Sequence, residues 1–162
     1  MDWGRITSIG LISDTHGLLR DEAVDGLRGS ELIIHAGDVG NPEILTELRQ
    51  VAPVIAVKGN IDRGPWTSEL PRTAALQAGA ANIYVLHSLE ELDLDPKVAG
   101  LDIVVSGHSH VPKHSERSGV LYINPGSAGP RRFTLPVTVA RLDLGAKPWN
   151  VTFTDLLGGS SR

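Results

Sequence analysis

Short apolar segments in the first third of the chain are each followed by a polar, glycine-containing loop. Residues 6–12, 32–34 and 54–57 are nearly continuous apolar runs, which are typical of strands covered on both faces of a sheet. Between these runs, residues 21–28 and 42–50 have the apolar spacing of amphipathic helices. This alternation predicts a parallel sheet with right-handed crossovers, whose carboxyl-terminal loops gather at one edge.

After residue 70 the helical pattern fades and short β-rich segments dominate. One further helix is predicted over residues 89–98. The predicted strands cover residues 72–77, 82–86, 102–105, 120–123, 137–142 and 150–154. Many strands with few helices indicate a second, partly antiparallel sheet, so the pattern by itself predicts an α/β fold with a strand-rich second half. We expect one domain over residues 1–162, with residues 158–162 as a frayed tail.

Composition narrows the class of protein. The 162 residues include no cysteine, which excludes disulfides and thiolate metal sites and predicts residence in the cytoplasm. We expect no signal peptide and no association with a membrane, because no apolar stretch approaches the length of a membrane span. The net charge of −4 gives no electrostatic reason to expect a nucleic-acid partner, since such partners select a basic surface.

Seven side chains of the types that bind metals lie in five loops that follow apolar runs. Carboxylate and amide oxygens mixed with imidazoles suit two divalent ions such as Mn²⁺, Fe²⁺ or Zn²⁺ better than one closed structural zinc. Two such ions, about 3.5–4 Å apart, are a common device for cleaving phosphate esters. In an extended chain, residues two apart project to the same side, so each closely spaced pair is expected to face one cavity. The seven residues are Asp14, His16, Asp38, Asn60, His87, His108 and His110.

These loops also carry a resemblance to a known family. In chain order they read Ser13-Asp14-Thr15-His16-Gly17, Gly37-Asp38-Val39-Gly40, Gly59-Asn60-Ile61-Asp62, His87-Ser88 and Gly107-His108-Ser109-His110. This resembles the calcineurin-like metallophosphoesterases over about residues 6–130, and most of all their small prokaryotic phosphodiesterases, whose third segment reads Gly-Asn-x-Asp. The resemblance implies a four-layer α/β/β/α sandwich of two mixed β-sheets flanked by helices.

The resemblance also implies a role for each of the seven side chains. Asp14, His16 and His110 would hold one ion, Asn60, His87 and His108 the other, and Asp38 would bridge them. Mn²⁺ is the expected metal, with Fe²⁺, Zn²⁺, Ni²⁺ and Co²⁺ as alternatives. Such a pair of ions activates water at neutral pH, so the reaction needs no serine or cysteine nucleophile.

The chain departs from the larger family at one position. Ile61 stands where that family has a histidine that can protonate the leaving group. A substrate with a basic leaving group then needs another proton donor, and activated aryl esters should react more readily than alkyl monoesters. Asp62 is the nearest candidate for a catalytic acid, and the alternative is a loop carboxylate paired with Arg63 or another base.

A turn and two arginines are candidates for binding the substrate. Asn124 and Ser127 flank a Pro-Gly turn that the resemblance places near the metals, where they could contact a phosphate or serve only as turn residues. Arg131 and its neighbour Arg132 could hold phosphate oxygens or remain solvated. Two other histidines have plainer interpretations: His35 packs or supports the loop that follows it, and His114 lies on an exposed hairpin.

Together these features predict a metal-dependent phosphodiesterase or phosphatase that acts on a small phosphorylated substrate. The alternative is a non-catalytic, metal-stabilised scaffold of the same fold, which the missing histidine at Ile61 keeps open. Trp66 and Leu70 follow the third loop and could line a substrate pocket or a homo-oligomer contact. The sequence leaves the natural substrate, the native metal and the oligomeric state undetermined.

Overall fold

The computed structural model describes residues 2–158 and contains two five-stranded mixed sheets that pack face to face. The strands in the described part are β1 (Ser8–Ile12), β2 (Leu32–His35), β3 (Val54–Ala56), β4 (Thr73–Ala78), β5 (Ala81–Leu86), β6 (Ile103–Val105), β7 (Lys113–Arg117), β8 (Val120–Asn124), β9 (Thr138–Asp143) and β10 (Asn150–Asp155). The tail predicted over residues 158–162 lies, beyond Gly158, outside the described residues.

The first sheet has the strand order β10-β9-β1-β2-β3. Its β1, β2 and β3 strands are parallel, and they are joined by helices α1 (Asp21–Leu27) and α2 (Pro42–Arg49). Helix α2 is capped by Asn41, whose side chain accepts a hydrogen bond from the Ile44 amide, and its apolar stripe packs on the sheet. The predicted β-α-β-α-β series is therefore confirmed.

The second sheet has the order β4-β5-β6-β8-β7, with β5, β6 and β8 parallel and both edge strands antiparallel. Fully buried aliphatic side chains from both sheets, among them Leu11, Ile34, Val85 and Val105, form one apolar core between them. The two mixed sheets that the family resemblance implied are confirmed. No helix among residues 2–158 is long and apolar enough to cross a membrane.

The helix predicted over residues 89–98 is wrong. Only Leu89–Glu91 forms a short 3₁₀ turn, and the remainder is irregular chain. The Asp95 carboxylate accepts hydrogen bonds from the Lys97 and Val98 amides, which competes with helical bonding. Pro96, between Asp95 and Lys97, has no amide hydrogen to donate. Leu92 nevertheless packs on the outer face of the second sheet, so this irregular segment covers a face that a helix was expected to cover.

Strand β7 was not among the predicted strands, although the exposed hairpin expected around His114 is present. Its sequence, Lys-His-Ser-Glu-Arg, contains no apolar residue and therefore no alternation of apolar and polar positions. The strand lies at the edge of the sheet and pairs only with β8. An edge strand that faces solvent is recognised by its hydrogen bonds rather than by its hydrophobic pattern.

Candidate metal centre

The seven predicted ligands lie on five neighbouring loops that follow β1, β2, β3, β5 and β6, at the edge where the strands of both sheets end. Five of the seven adopt a positive φ, between 47° and 73°, which non-glycine residues rarely do: Asp14, His16, Asp38, His108 and His110. The expectation that paired ligands meet through extended backbone is wrong. Left-handed turns direct these side chains inward instead, and such conformations persist only where the surroundings enforce them.

Hydrogen bonds between the first two loops enforce this backbone. The Asp14 amide donates to Gly37 O at 3.0 Å, and the His16 amide donates to Asp38 O at 2.9 Å. Glycine allows the loops to approach this closely, because a Cβ on Gly40 would overlap the backbone nitrogen of Gly17. The loops after β1 and β2 therefore behave as one bonded unit.

One group of ligand atoms surrounds the Asp14 carboxylate. His110 Nε2 lies 3.3 Å from Asp14 Oδ1, and His16 Nε2 lies 3.6 Å from the same oxygen. These three residues are the set that the sequence assigned to the first ion, and they converge within coordination reach of a common point.

A second group of ligand atoms surrounds Asp38 and His87. His87 Nε2 lies 3.2 Å from Asp38 Oδ2, and the end of the Asn60 side-chain amide lies 3.1 Å from the same His87 nitrogen and 3.2 Å from both Asp38 oxygens. His108 is exposed, and its ring packs edge-on against the His87 ring with centroids 5.2 Å apart. His108 therefore borders this group rather than lying inside it.

The two aspartates connect the groups. Asp38 Oδ2 is 3.3 Å from His16 Nε2 as well as 3.2 Å from His87 Nε2, as a bridging carboxylate requires. Asp14 Oδ1 also reaches both groups, since it lies 3.8 Å from His87 Nε2. The sequence assigned Asp14 to one ion only, so its central position is an addition that the tertiary structure makes.

Some buried polar atoms of the site have no hydrogen-bond partner among the described residues. Among the described residues, Asp14 Oδ1 and His16 Nε2 are buried without a hydrogen-bond partner. His87 Nδ1 lies 2.7 Å from Ala36 O and must donate to it, so a neutral His87 directs its lone pair through Nε2 toward Asp38. Divalent cations placed between these acceptors and lone pairs would satisfy them, so the residues present fit a pair of divalent ions.

Electrostatics inside the cluster favour charged carboxylates. Burial raises the pKa of Asp14, but contacts from His110, His16 and Ser13 outweigh it and hold that pKa well below its usual range. The pKa of Asp38 is also lowered, because the His87 contact and the Ile61 amide outweigh its burial. Burial lowers the pKa of His87, but the neighbouring Asp38 carboxylate outweighs that effect and raises it. The carboxylates are thus ionised and ready to bind metal at neutral pH.

Asp62 is buried beside the site, where it holds the metal loops together through backbone hydrogen bonds. Its two oxygens accept backbone hydrogen bonds from Asp38, Val39, Gly40 and Gly59, at distances of 2.8 to 3.3 Å. A protonated Asp62 would turn its hydroxyl toward these donors. The contacts favour the loop role over the role of catalytic acid, although the partners are amides rather than Arg63.

The candidate substrate-binding residues do not all face the centre. Asn124 Nδ2 donates to Gly107 O and to Ser109 Oγ, both at 3.0 Å, and the buried Ser127 hydroxyl donates to Asp14 O at 3.0 Å. Both side chains brace the metal loops. Arg131 and Arg132 are exposed, and Trp66 and Leu70 pack on the helical side of the first sheet.

Two supporting residues were not predicted from the sequence. The buried Ser13 hydroxyl donates to Asp14 Oδ2 at 2.6 Å and so fixes that carboxylate. Thr15 Oγ1 lies 3.0 Å from His35 Nε2 and donates to Val39 O, while His35 Nδ1 accepts from the Gly37 amide. Their only sequence signal is a hydroxyl on either side of Asp14. The supporting role considered for His35 agrees with these contacts.

A polar cleft of about 520 Å³ opens over the second ligand group. Asn60, His87 and His108 line it beside the ligand group. The remaining charged lining is mixed, with the basic residues Lys58, Arg63 and Arg72 and the acidic residues Asp62, Glu90 and Glu91.

The chain is similar to several known proteins. The sequence model of the calcineurin-like phosphoesterase superfamily domain matches residues 8–147. A probable metallophosphoesterase from Methanothermobacter thermautotrophicus is 37% identical over 151 residues, which cover 83% of this chain and 86% of that protein. Phosphodiesterase YfcE from Escherichia coli is 27% identical over 161 residues, which cover 81% of this chain and 84% of that protein.

A solved structure of Vacuolar Protein Sorting 29 from Cryptosporidium parvum has the same fold. It superimposes with a TM-score of 0.70 at 20% identity and covers 92% of this chain and 97% of that chain. At this level of identity the likeness concerns the fold alone.

Proposed function

This chain belongs to the calcineurin-like phosphoesterase superfamily, and from that premise we propose that it is a phosphodiesterase that depends on two divalent metal ions. The observation that carries the proposal is the pair of ligand groups joined by Asp14 and Asp38, in which, among the described residues, Asp14 Oδ1 and His16 Nε2 are buried without a hydrogen-bond partner. Mn²⁺ is the proposed metal, since a mixture of carboxylate, amide and imidazole ligands suits it.

When bound, the two ions would supply a water that is activated at neutral pH and would neutralise the charge of the phosphate. The protein's own residues hold the arrangement in place. Asp38 reaches both groups, and the Ala36 carbonyl orients the His87 ring, so that its lone pair faces the centre. Asn60 presents its amide to the second group from the exposed side, where it is also positioned to contact a bound phosphate ester.

The proposed substrate is a small phosphodiester with a good leaving group. Ile61 offers no proton, and the Asp62 carboxylate is occupied by four backbone amides, so neither residue protonates a departing oxygen. Esters whose leaving groups need no acid, such as nitrophenyl esters, should therefore react fastest.

Removal and restoration of metal test the proposal. We expect exhaustive chelation to abolish the hydrolysis of bis(p-nitrophenyl) phosphate, and two equivalents of Mn²⁺ per chain to restore it. Metal content is measured in parallel by elemental analysis, and circular dichroism checks that the chelated protein remains folded. Full activity in protein with no detectable metal would refute the two-metal proposal.

A non-catalytic scaffold of the same fold is the alternative that the sequence left open. The likeness to Vacuolar Protein Sorting 29 rests on the fold and so adds no argument for that role. Metal ligands alone do not separate the two roles, since a metal-stabilised scaffold would also need them, but the relatives at 37% and 27% identity carry the names of phosphoesterases. Protein that binds two metal ions and yet cleaves no aryl phosphodiester would favour the scaffold.

A further inference from the structure

A second cavity lies on the other side of His108, along the outer face of the second sheet. It encloses about 400 Å³, which is within the range of pockets that bind small organic molecules. Its wall shares Ser88, Glu90 and His108 with the polar cleft. Since the His108 ring packs against His87, this cavity begins directly beside the second ligand group.

The wall of this cavity has the chemistry of an aromatic-binding site. The Arg117 guanidinium from β7 lies over the ring of Tyr122 from β8, with Cζ 4.2 Å from the ring centroid. Arg117 is exposed, so the outer face of its planar guanidinium is open to a ligand. Arginine stacked in this way forms a flat surface that favours a second planar group. Leu89 and Val111 supply apolar surface alongside.

The cavity is also connected rigidly to the metal loops. Asn124 belongs to the same strand as Tyr122, and its amide binds Gly107 O and Ser109 Oγ in the loop that carries His108. Gly107, His108, Ser109 and Asn124 all contribute to the cavity wall. A ligand on the Arg117 and Tyr122 pair would therefore be held at a constant position relative to the ligand groups.

We propose that this cavity binds a planar aromatic substituent of the substrate, stacked on the Arg117 and Tyr122 pair, while the phosphate lies at the metal centre. The proposal rests on the proposed function and specifies its substrate class, an aryl or nucleoside phosphodiester. The chemistry that both sources share is a flat ring carried by an ester group of the phosphate, directly through oxygen in an aryl ester and through the sugar in a nucleoside ester. The polar cleft remains available for the other substituent.

Three diesters share the p-nitrophenolate leaving group, and therefore the nitrophenyl ring, and differ only in their second substituent, which is methyl, phenyl or thymidin-5′-yl. A second ring in the cavity should make KM lower for the phenyl and thymidyl esters than for the methyl ester. Variants Tyr122→Leu and Arg117→Gln should remove most of that difference by raising KM of the ring-bearing esters about three- to tenfold, the usual contribution of ring stacking, and leave kcat nearly unchanged. A lower KM for the thymidyl than for the phenyl ester identifies a nucleoside, and equal KM values identify any flat ring.

The chain offers a matched control, because it contains two tyrosines and both lie on the same face of the second sheet. Tyr84 lies two strands away from Tyr122, with Val104 between them, and does not line the cavity. Tyr84→Leu should leave KM for all three esters unchanged. If both tyrosine variants change KM equally, or neither changes it, the aromatic site is refuted even though the enzyme is active.

A binding experiment separates this proposal from the proposed function. Phenylphosphonate and methylphosphonate are titrated into isotope-labelled protein loaded with Mg²⁺, and amide shifts are followed by NMR. The phenyl compound should shift amides of β7 and β8, and Tyr122→Leu should abolish those shifts. Shifts without any ester hydrolysis would refute catalysis and support the cavity. Identical shift patterns for both phosphonates would overturn the aromatic site.

Discussion

At the scale of single residues, Asp38 has the most exacting position, since its carboxylate lies between imidazoles from both ligand groups. We predict that Asp38→Asn remains folded. In the wild type the Ile61 amide donates a hydrogen bond to Asp38 Oδ1 at 3.1 Å, and the asparagine side chain keeps an oxygen that can accept it. The lost negative charge should weaken metal binding at least about 100-fold. Activity should fall together with metal binding. Titration calorimetry measures the affinity for Mn²⁺, and turnover of an aryl diester measures the activity. Two ions retained at wild-type affinity would show that Asp38 is not the bridge.

Asp62 illustrates a carboxylate that acts through backbone. Asp62→Asn places an NH₂ group among four amide donors, and each buried donor left unsatisfied costs about 1–3 kcal/mol of unfolding free energy. We expect a lower urea midpoint and an equal loss of activity on nitrophenyl and alkyl esters. Asp143→Asn is the control, since Asp143 accepts one exposed amide bond and should change little. A loss confined to alkyl esters, with stability unchanged, would make Asp62 the acid.

At the scale of elements, the close contact between the loops after β1 and β2 decides the geometry of the site. A Cβ on Gly40 would lie 2.6 Å from the Gly17 Cα and 2.7 Å from the His16 carbonyl carbon, so one loop must move. We predict that Gly40→Ala separates the loops and weakens metal binding strongly.

Gly100→Ala provides the matched control for this effect. Both glycines have a positive φ, 102° and 79°, so both substitutions add backbone strain of about 1 kcal/mol. Only Gly40 meets other atoms, whereas a Cβ on Gly100 would have open space. The midpoint temperature of thermal unfolding and the affinity for Mn²⁺ should therefore both decrease more for Gly40→Ala than for Gly100→Ala. Equal effects in both variants would mean that strain, rather than loop contact, is responsible.

At the scale of the whole molecule, the buried His35 links stability to pH. Burial lowers its pKa to about 4, and the charges of Asp14 and Asp62 only partly oppose this. In the unfolded chain the pKa is near 6.5, so between pH 6.5 and 4 the unfolded state binds a proton that the folded state excludes. The titration of His35 therefore leaves the free energy of unfolding unchanged above pH 6.5 and lowers it by roughly 3 kcal/mol as the pH approaches 4.

The metal-free protein tests this link through urea unfolding at pH 7, 6, 5 and 4.5. His35→Gln should flatten the pH dependence relative to wild type, whatever its effect on stability at pH 7. His87 acts in the opposite direction because its pKa is raised, and it is present in both proteins, so the difference isolates His35. His114→Gln, at an exposed position, should retain the wild-type slope. An unchanged slope in His35→Gln would refute the assignment.

The residues themselves determine the strands, the types of ligand and the order in which they occur. Apolar runs before Asp14, Asp38 and Asn60 predict buried parallel strands, because periodicity and burial are local properties of a chain. Parallel strands bring their terminal loops to one edge, so gathering the ligands there also follows from the sequence. The resemblance supplied the division into two ion sites, which stays a prediction, although Asp14, His16 and His110 of the first set do lie together.

Only the tertiary structure decides which atoms face each other. The position of Asp14 in both ligand groups, three of the four amides on Asp62 and the left-handed turns depend on contacts between loops more than twenty residues apart in sequence. Strand β7 is a local case, because it forms a hairpin with β8, yet its polar sequence becomes a strand only because β8 offers it a free edge. Neither kind of contact leaves a periodic signal, since it depends on the neighbouring segment rather than on an apolar pattern within the strand or loop itself.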